Sequence, residues 1–454
     1  MASPTLSSAP RTGRNAFWLA CVAICLVGWG FVRSGTQYNG WRFWLRPDSD
    51  QGYGWKDGRT IAGDWVQFAG VAEAWRRGRI GEIYSLDNQR FFMGRAAELP
   101  ADYSMILSYN YPPFFCWLMR PLARLDFMQG LIVWLLIQFT FALWTIRVWK
   151  RELGGGALWL LLSVAFLSAP VTTNVLLIGH VTFIGLFAFA AAFRMLAEGK
   201  DFRAGLAVSL LFYKPPLGIV IGPLLLWKGR WRAVAGTAVG GALLFGLSWL
   251  LSPDALRTYP DIGRELFKLA SESADFFTRH FTWMALVCVG AGKTPVELAW
   301  YEWLLIAAPI AGFYGFLAWA WRGPWAPGEP RFSAGLAAVM IGTFVITPYS
   351  YGYDNAMLFA ATALSLKTIA LRPWWHGWLI LALQAVGWTF VSQDYELLQQ
   401  IDAVSWFRVQ MAPVCWAGWM LLECLAAGDR RPEIPVEDGK AEGPIEAPRT
   451  EFGG

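Results

Sequence analysis

Phe127–Val148 reads FMQGLIVWLLIQFTFALWTIRV, with no acid and a single cation, Arg147, near its end. A helix rises 1.5 Å per residue, so a run of this length crosses the ~30 Å hydrocarbon core of a bilayer. Lys150-Arg151 follow it directly, as basic residues follow a span that ends on the cytoplasmic side. Outward from this stretch the same kind of segment recurs. Upstream lies Ala16–Val32, preceded by Arg11 and Arg14 and read as a retained first helix rather than a cleaved signal. Downstream come Ala157–Ala169, Val181–Leu196, Ala204–Tyr213, Leu217–Trp227 and Ala233–Leu251. Trp303–Trp321, Ala334–Thr347, Ala356–Leu371, Gly377–Val391 and Val409–Leu425 complete the series. The pattern predicts an all-α polytopic membrane protein of about twelve transmembrane helices, several of them short and completed by tilt or by flanking residues. The Lys214-Pro215-Pro216 break makes its two flanking segments the least regular.

Composition agrees. Of 454 residues, 56% are hydrophobic and 16% charged, whereas soluble domains carry about 25% charged residues. A soluble enzyme, a disordered chain and a collagen-like chain are excluded on this ground. The six Cys lie in apolar stretches without a Cys-x-x-Cys pair, which fits packing residues. Three His are too few for a His-rich metal site, and a net charge of +5, spread along the chain, gives no reason to expect nucleic acid as a partner.

Charge sets the expected topology. Lys150-Arg151, Lys200 with Arg203, Lys228 to Arg232, Arg322 with Arg331, Lys367 with Arg372, and Arg430-Arg431 all fall on one parity of loops. The short loops of the other parity, Pro170–His180 and Pro348–Asp354, hold no Lys or Arg. The positive-inside rule then puts both termini in the cytoplasm of a multi-pass plasma (inner) membrane protein. Two long segments, Arg33–Tyr111 and Ser252–Glu302, lie outside. In the first, Asp64–Arg77 reads as an amphipathic helix on the membrane surface, with Trp65, Phe68, Ala69 and Ala72 on one side, and Asn88–Leu99 looks similar. Residues 1–427 form the membrane domain. From Gly428 the chain is rich in Glu, Pro and Gly and is expected to be a disordered cytoplasmic tail.

Polar groups gather at the predicted outside ends of the spans. Asp64 starts the first loop helix, where Asp is also a preferred N-cap. Tyr111 stands in Tyr109-Asn110-Tyr111-Pro112-Pro113 at the head of the next apolar segment, where an interfacial aromatic and a helix-starting Pro would also be at home. Asn174, His180, Lys214, Tyr349, Tyr353 and Asp354 complete the set, with Arg279 and His280 on the second outside loop. An ionisable group such as Lys214 inside a membrane segment is costly and marks function. Asp48-Ser49-Asp50 sits in a polar, Gly-containing stretch without further ligands and reads as a solvated loop rather than a metal site.

Taken in order, these features run from a first helix through Asp64 and Tyr111-Pro112-Pro113 to Asn174, Gly179-His180 and Lys214-Pro215. They end at Pro348-Tyr349-Ser350-Tyr351. In that order and spacing the sequence resembles glycosyltransferase family 87 of the GT-C superfamily, best known for polyprenol-phosphate-mannose-dependent mannosyltransferases. The resemblance runs over roughly residues 15–370 and implies a GT-C-like bundle. It also implies inverting transfer of a hexose, mannose by family default, from a polyprenyl-phosphate sugar to a lipid or glycan acceptor on the extracytoplasmic face, without metal or other cofactor. Asp64 takes the place of the family's loop-one general base. Two positions depart from the family pattern. His180 stands where Gln is common, and Tyr353 where a His often follows Pro-x-Ser-Trp; the second leaves the donor or acceptor class open.

Elementary chemistry fits that implication. Neither outside loop has room or strand–helix alternation for a nucleotide-binding domain, so a sugar donor there must arrive on a lipid. Phosphate leaves readily as an anion, so one base for the acceptor hydroxyl suffices, whereas a hydrolase wants two carboxylates across the bond. Cations offset the leaving group's charge, with Lys214 foremost, then His180, Arg279 and His280. Tyr111, Asn174, Tyr349, Tyr353 and Asp354 would line the substrate pocket. A transporter or flippase of lipid-linked sugars is the main alternative. It predicts repeat symmetry between halves, which the sequence lacks. An acyltransferase would need a membrane His base, and His180 and His376 stand isolated.

Overall fold

The computed structural model describes residues 53, 62–100, 108–272, 280, 282–327, 329–348, 350–369, 374–389, 415, 418 and 420. The predicted first span Ala16–Val32, Asp48-Ser49-Asp50, nearly all of Val409–Leu425 and the tail from Gly428 lie outside the described residues, as do Arg279 and Tyr349. Among the described residues all regular structure is helical.

The chain opens with α1 (Trp65–Arg76) and α2 (Leu86–Ala96). A short α3 (Pro113–Met119) starts on a proline, whose missing N–H costs nothing at a first helical position. The long α4 (Phe127–Leu153) is capped by Asp126, whose carboxylate accepts from the Gln129 N–H at 2.7 Å. Next come α5 (Ala157–Ser168) and α6 (Pro170–Ile178), bent 48° where Pro170 forces Ala169 into extended backbone. Then follow α7 (Thr182–Ala197), α8 (Asp201–Ser209), α9 (Ile221–Trp227) and α10 (Trp231–Leu251). The second half holds α11 (Pro253–Glu272), α12 (Trp283–Ala291), α13 (Trp300–Ala320), α14 (Pro330–Ile346), α15 (Leu358–Ile369) and α16 (Trp374–Thr389).

Three of these, α4, α10 and α13, are long and apolar enough to cross a bilayer, and the bent α5–α6 pair has that length and composition when its two halves are taken together, as a broken span or a re-entrant loop. Their outer faces leave large apolar side chains uncovered: Ile132 and Leu136 on α4, Leu243 and Leu250 on α10, Trp300 and Leu305 on α13. Continuous apolar stripes of this kind are unfavourable in water and suit lipid tails. The two segments expected on either side of Lys214 are short helices. With their 3-10 turns Leu210–Tyr213 and Pro215–Gly218, the α8 and α9 arms each reach about 20 Å, short of the ~30 Å core. At the break Lys214 is buried and Pro215 is exposed.

The basic loops converge on one end. Arg194 reaches the Arg151 carbonyl and Glu152, Arg230 pairs with Asp201, and Lys228 donates to the carbonyls of Trp321 and Gly323. The loops assigned by charge to one side of a membrane are thus adjacent in space.

The first outside loop corrects one expectation. Trp65 through Ala74 are all buried, so α1 is not a surface helix with a single apolar side. Its Trp65 indole donates to the Phe127 carbonyl and packs on Trp134, while Phe68 meets Tyr109, Tyr111 and Phe115. Protein covers it on the side where the sequence pattern suggested solvent. By contrast α2 is amphipathic as expected, with Gln89, Phe92 and Met93 buried and its charges outside.

Candidate active site

The site begins at the turn between α6 and α7. Gly179 has φ +72°, and a Cβ there would come within 2.9 Å of the Trp65 Cβ. Only glycine both adopts that conformation and lets α1 approach so closely. The approach is locked by two bonds, from the Asp64 N–H to the Ile178 carbonyl (2.9 Å) and from the Trp134 indole to the Gly179 carbonyl (2.7 Å). Asp64 is thereby fixed at the α6–α7 turn, against Ile178.

The Asp64 side chain does not cap α1. Its Oδ1 accepts from Gln67 Nε2 at 3.1 Å, and its buried Oδ2 has no hydrogen-bond partner among the described residues. The capping role open to an Asp at this position is therefore not the one it plays. Burial first, and the charge of Asp354 second, push its carboxyl up to about 7, against the pull of Lys214 and Gln67. This carboxyl changes protonation near neutral pH, where an exposed Asp would be fully ionised.

Tyr111 is placed by the loop before it. Gln89 on α2 clamps the Tyr109 backbone with both ends of its amide, Nε2 to the carbonyl at 2.9 Å and Oε1 from the N–H at 2.7 Å. The Tyr84 hydroxyl donates to the Tyr111 carbonyl at 2.6 Å. The Tyr111 hydroxyl and His180 Nε2 are then 3.1 Å apart, and His180 Nδ1 and Thr182 Oγ1 2.6 Å apart. Both ring nitrogens of His180 thus face hydroxyls, which fix the orientation of the imidazole.

Lys214 meets Asp354 across the bundle. Nζ and Oδ2 are 2.5 Å apart in a buried pair, and the same oxygen accepts from the Tyr351 N–H at 2.9 Å and the Ser350 hydroxyl at 3.4 Å. Burial alone would raise the Asp354 carboxyl, but the Lys214 ammonium beside it holds it below its ordinary value. Rings extend the cluster: His180 lies 4.0 Å from Tyr353, Tyr353 stacks on Tyr351 at 5.2 Å, and Tyr351 lies 4.4 Å from His280. Asn174, buried on α6, belongs to a helix packed against the Gly352–Met357 turn, and its Nδ2 has no hydrogen-bond partner among the described residues.

The structure therefore gathers Asp64, Tyr111, His180, Lys214, Tyr353, Asp354 and His280 through direct contact or mutual electrostatic influence. Gln67, Gln89 and Thr182 were not singled out by sequence. Only Gln67 left a signal, three residues beyond Asp64 on one helix face. Chemically the cluster offers a carboxylate that takes up a proton near neutral pH and a buried ammonium–carboxylate pair. These are the parts of a proton acceptor beside an anion site. The sequence model of glycosyltransferase family 87 matches residues 109–348, which include every one of these groups except Asp64, Gln67, Gln89, Tyr353 and Asp354. No curated protein and no solved structure matches the chain.

Proposed function

The chain belongs to glycosyltransferase family 87, and on that premise we propose that it moves a hexose from a polyprenyl-phosphate carrier to a hydroxyl of a lipid or glycan acceptor. The reaction takes place at the extracytoplasmic face of the plasma membrane, and mannose is the default sugar. The acceptor oxygen attacks the anomeric carbon as its proton passes to Asp64 Oδ2. The bond from that carbon to the phosphate oxygen breaks, its electron pair stays with the phosphate, and the carrier lipid leaves as polyprenyl phosphate. A single displacement inverts the anomeric centre. The phosphate is drawn toward Lys214, which it shares with Asp354.

The observation that carries this reading is the buried, unpartnered Oδ2 of Asp64, on a carboxyl raised to about 7 in the same cluster as Lys214 and Asp354. A base works best when its pKa lies near the working pH. Two carboxyls driven apart by their surroundings separate the roles, Asp64 for the proton and Asp354 for Lys214. The test incubates purified protein in nanodiscs with a panel of polyprenyl-phosphate sugars and follows released polyprenyl phosphate. Asp64→Asn should bind donor but lose transfer by about 10²–10⁴-fold. Near-normal transfer by that variant overturns the assignment.

A further inference from the structure

We propose that the donor phosphate seats on the N-terminus of α7, where the Tyr213 hydroxyl donates a hydrogen bond to it alongside Lys214. This deepens the glycosyl-transfer reading and rests on it. Three features converge on the spot. The first is Tyr213 itself, which is almost wholly buried, with a hydroxyl that has no hydrogen-bond partner among the described residues. A buried hydroxyl left unpaired costs stability unless something arrives to pair with it. The second is where that hydroxyl points. A Cβ added to Gly185, in the first turn of α7, would meet the Tyr213 oxygen at 2.4 Å and the Met357 sulfur at 2.7 Å. The glycine leaves room for the hydroxyl, which lies against the helix start. The third is the helix end. α7 has 16 residues and its N-cap Val181 makes no side-chain cap; the Ile184 N–H is taken by the Val181 carbonyl, which leaves the Thr182 and Phe183 N–H groups ahead of the helical ladder. Such a terminus attracts anions through free N–H groups and the helix dipole together.

The surroundings hold this arrangement in place. Tyr213 stacks on Tyr111 at 6.2 Å with planes 18° apart, and the next residue in the chain is Lys214. The Pro215-Pro216 pair stops the α8 arm there and fixes both side chains at the break. The Gly352–Met357 turn, which carries Asp354, packs on α7. The first turn of α7, the Tyr213 hydroxyl and the turn that carries Asp354 therefore meet at Gly185, and Lys214 joins them through Asp354. A phosphodiester gains negative charge as the sugar leaves, so donors fixed at that position act most strongly on the departing group.

The experiment uses the full-length protein in nanodiscs and Tyr213→Phe, which keeps the ring and its stacking. Polyprenyl phosphate should raise the thermal midpoint of the wild type, and the parent polyprenol should not. Tyr213→Phe should lose most of that phosphate-dependent rise, require about 10-fold more donor for half-maximal rate, and be at least as heat-stable as the wild type without ligand. If Tyr213→Phe responds to polyprenyl phosphate as the wild type does and keeps its donor requirement, the seat is refuted while glycosyl transfer stands. If the wild type neither responds to polyprenyl phosphate nor releases it from any donor, the transfer reading fails and the seat fails with it.

Discussion

Asp64→Asn should make the protein inactive and, above neutral pH, more stable. The wild-type carboxyl titrates at about 7 in the fold and near 3.8 when exposed. Across that window the native state keeps a proton that the unfolded chain has released, so wild-type stability falls as pH rises from about 4 to about 7 and is level beyond. At ~1.4 kcal/mol per pH unit, the fall amounts to about 4 kcal/mol. Asparagine does not ionise and escapes it. Its amide N–H₂ replaces Oδ2 in a site without a partner, which returns about 1–3 kcal/mol. The net gain is about 1–3 kcal/mol at pH 8. With unfolding entropy of ~2.1 cal/mol/K per residue, the wild-type midpoint should drop by about 3 °C between pH 5 and pH 8 from this group, and that component should vanish in the variant. The assay is thermal unfolding of both proteins in one detergent across that pH range, with transfer measured in parallel. Parallel midpoint curves would refute the raised pKa. A base that titrates near 7 also requires wild-type transfer to climb as pH passes from 6 to 8.

Lys214→Ala should destabilise by about 3–5 kcal/mol by leaving Asp354 buried without its cation, and adding Asp354→Ala should restore much of the melting temperature but no transfer; a double variant as unstable as the single refutes the pairing. Gly179→Ala forces a side chain into positive φ and into Trp65, so about 1–3 kcal/mol of stability and at least 10-fold of activity should be lost as Asp64 shifts, read by melting and by turnover. Gln89→Leu removes both bonds that fix the Tyr109 backbone and should cost about 2 kcal/mol with a fall in turnover, although Gln89 touches no reacting atom; unchanged melting and turnover would show that the clamp has no role.

The legibility of this protein differed by level. Hydropathy located α4, α10 and α13 because a long apolar run has no favourable place in water whatever its neighbours are. Charge predicted which loops share an end, and the Arg194–Glu152, Arg230–Asp201 and Lys228–Trp321 contacts join those loops. The pattern misjudged α1 because an apolar stripe shows that one side is buried, while protein also covers its other side. Around Lys214 it could not give the helix lengths, since these depend on the 3-10 turns that the fold imposes on both sides of the Pro pair.

For the candidate site, the residue types were in the sequence and their relations were not. Asp64, Tyr111, His180, Lys214 and Asp354 stood out because polar groups beside apolar spans are costly. The sequence alone also determined that this chain belongs with lipid, since its apolar content admits no other solvent. Tertiary structure decided that Lys214 would meet a carboxylate 140 residues away, that Asp64 would keep an oxygen unpartnered, and that Tyr213 would press an unpaired hydroxyl on a helix start. The physical reason is that desolvation and Coulomb energy depend on distance and on what excludes water. Both are fixed only when segments far apart in the chain pack together.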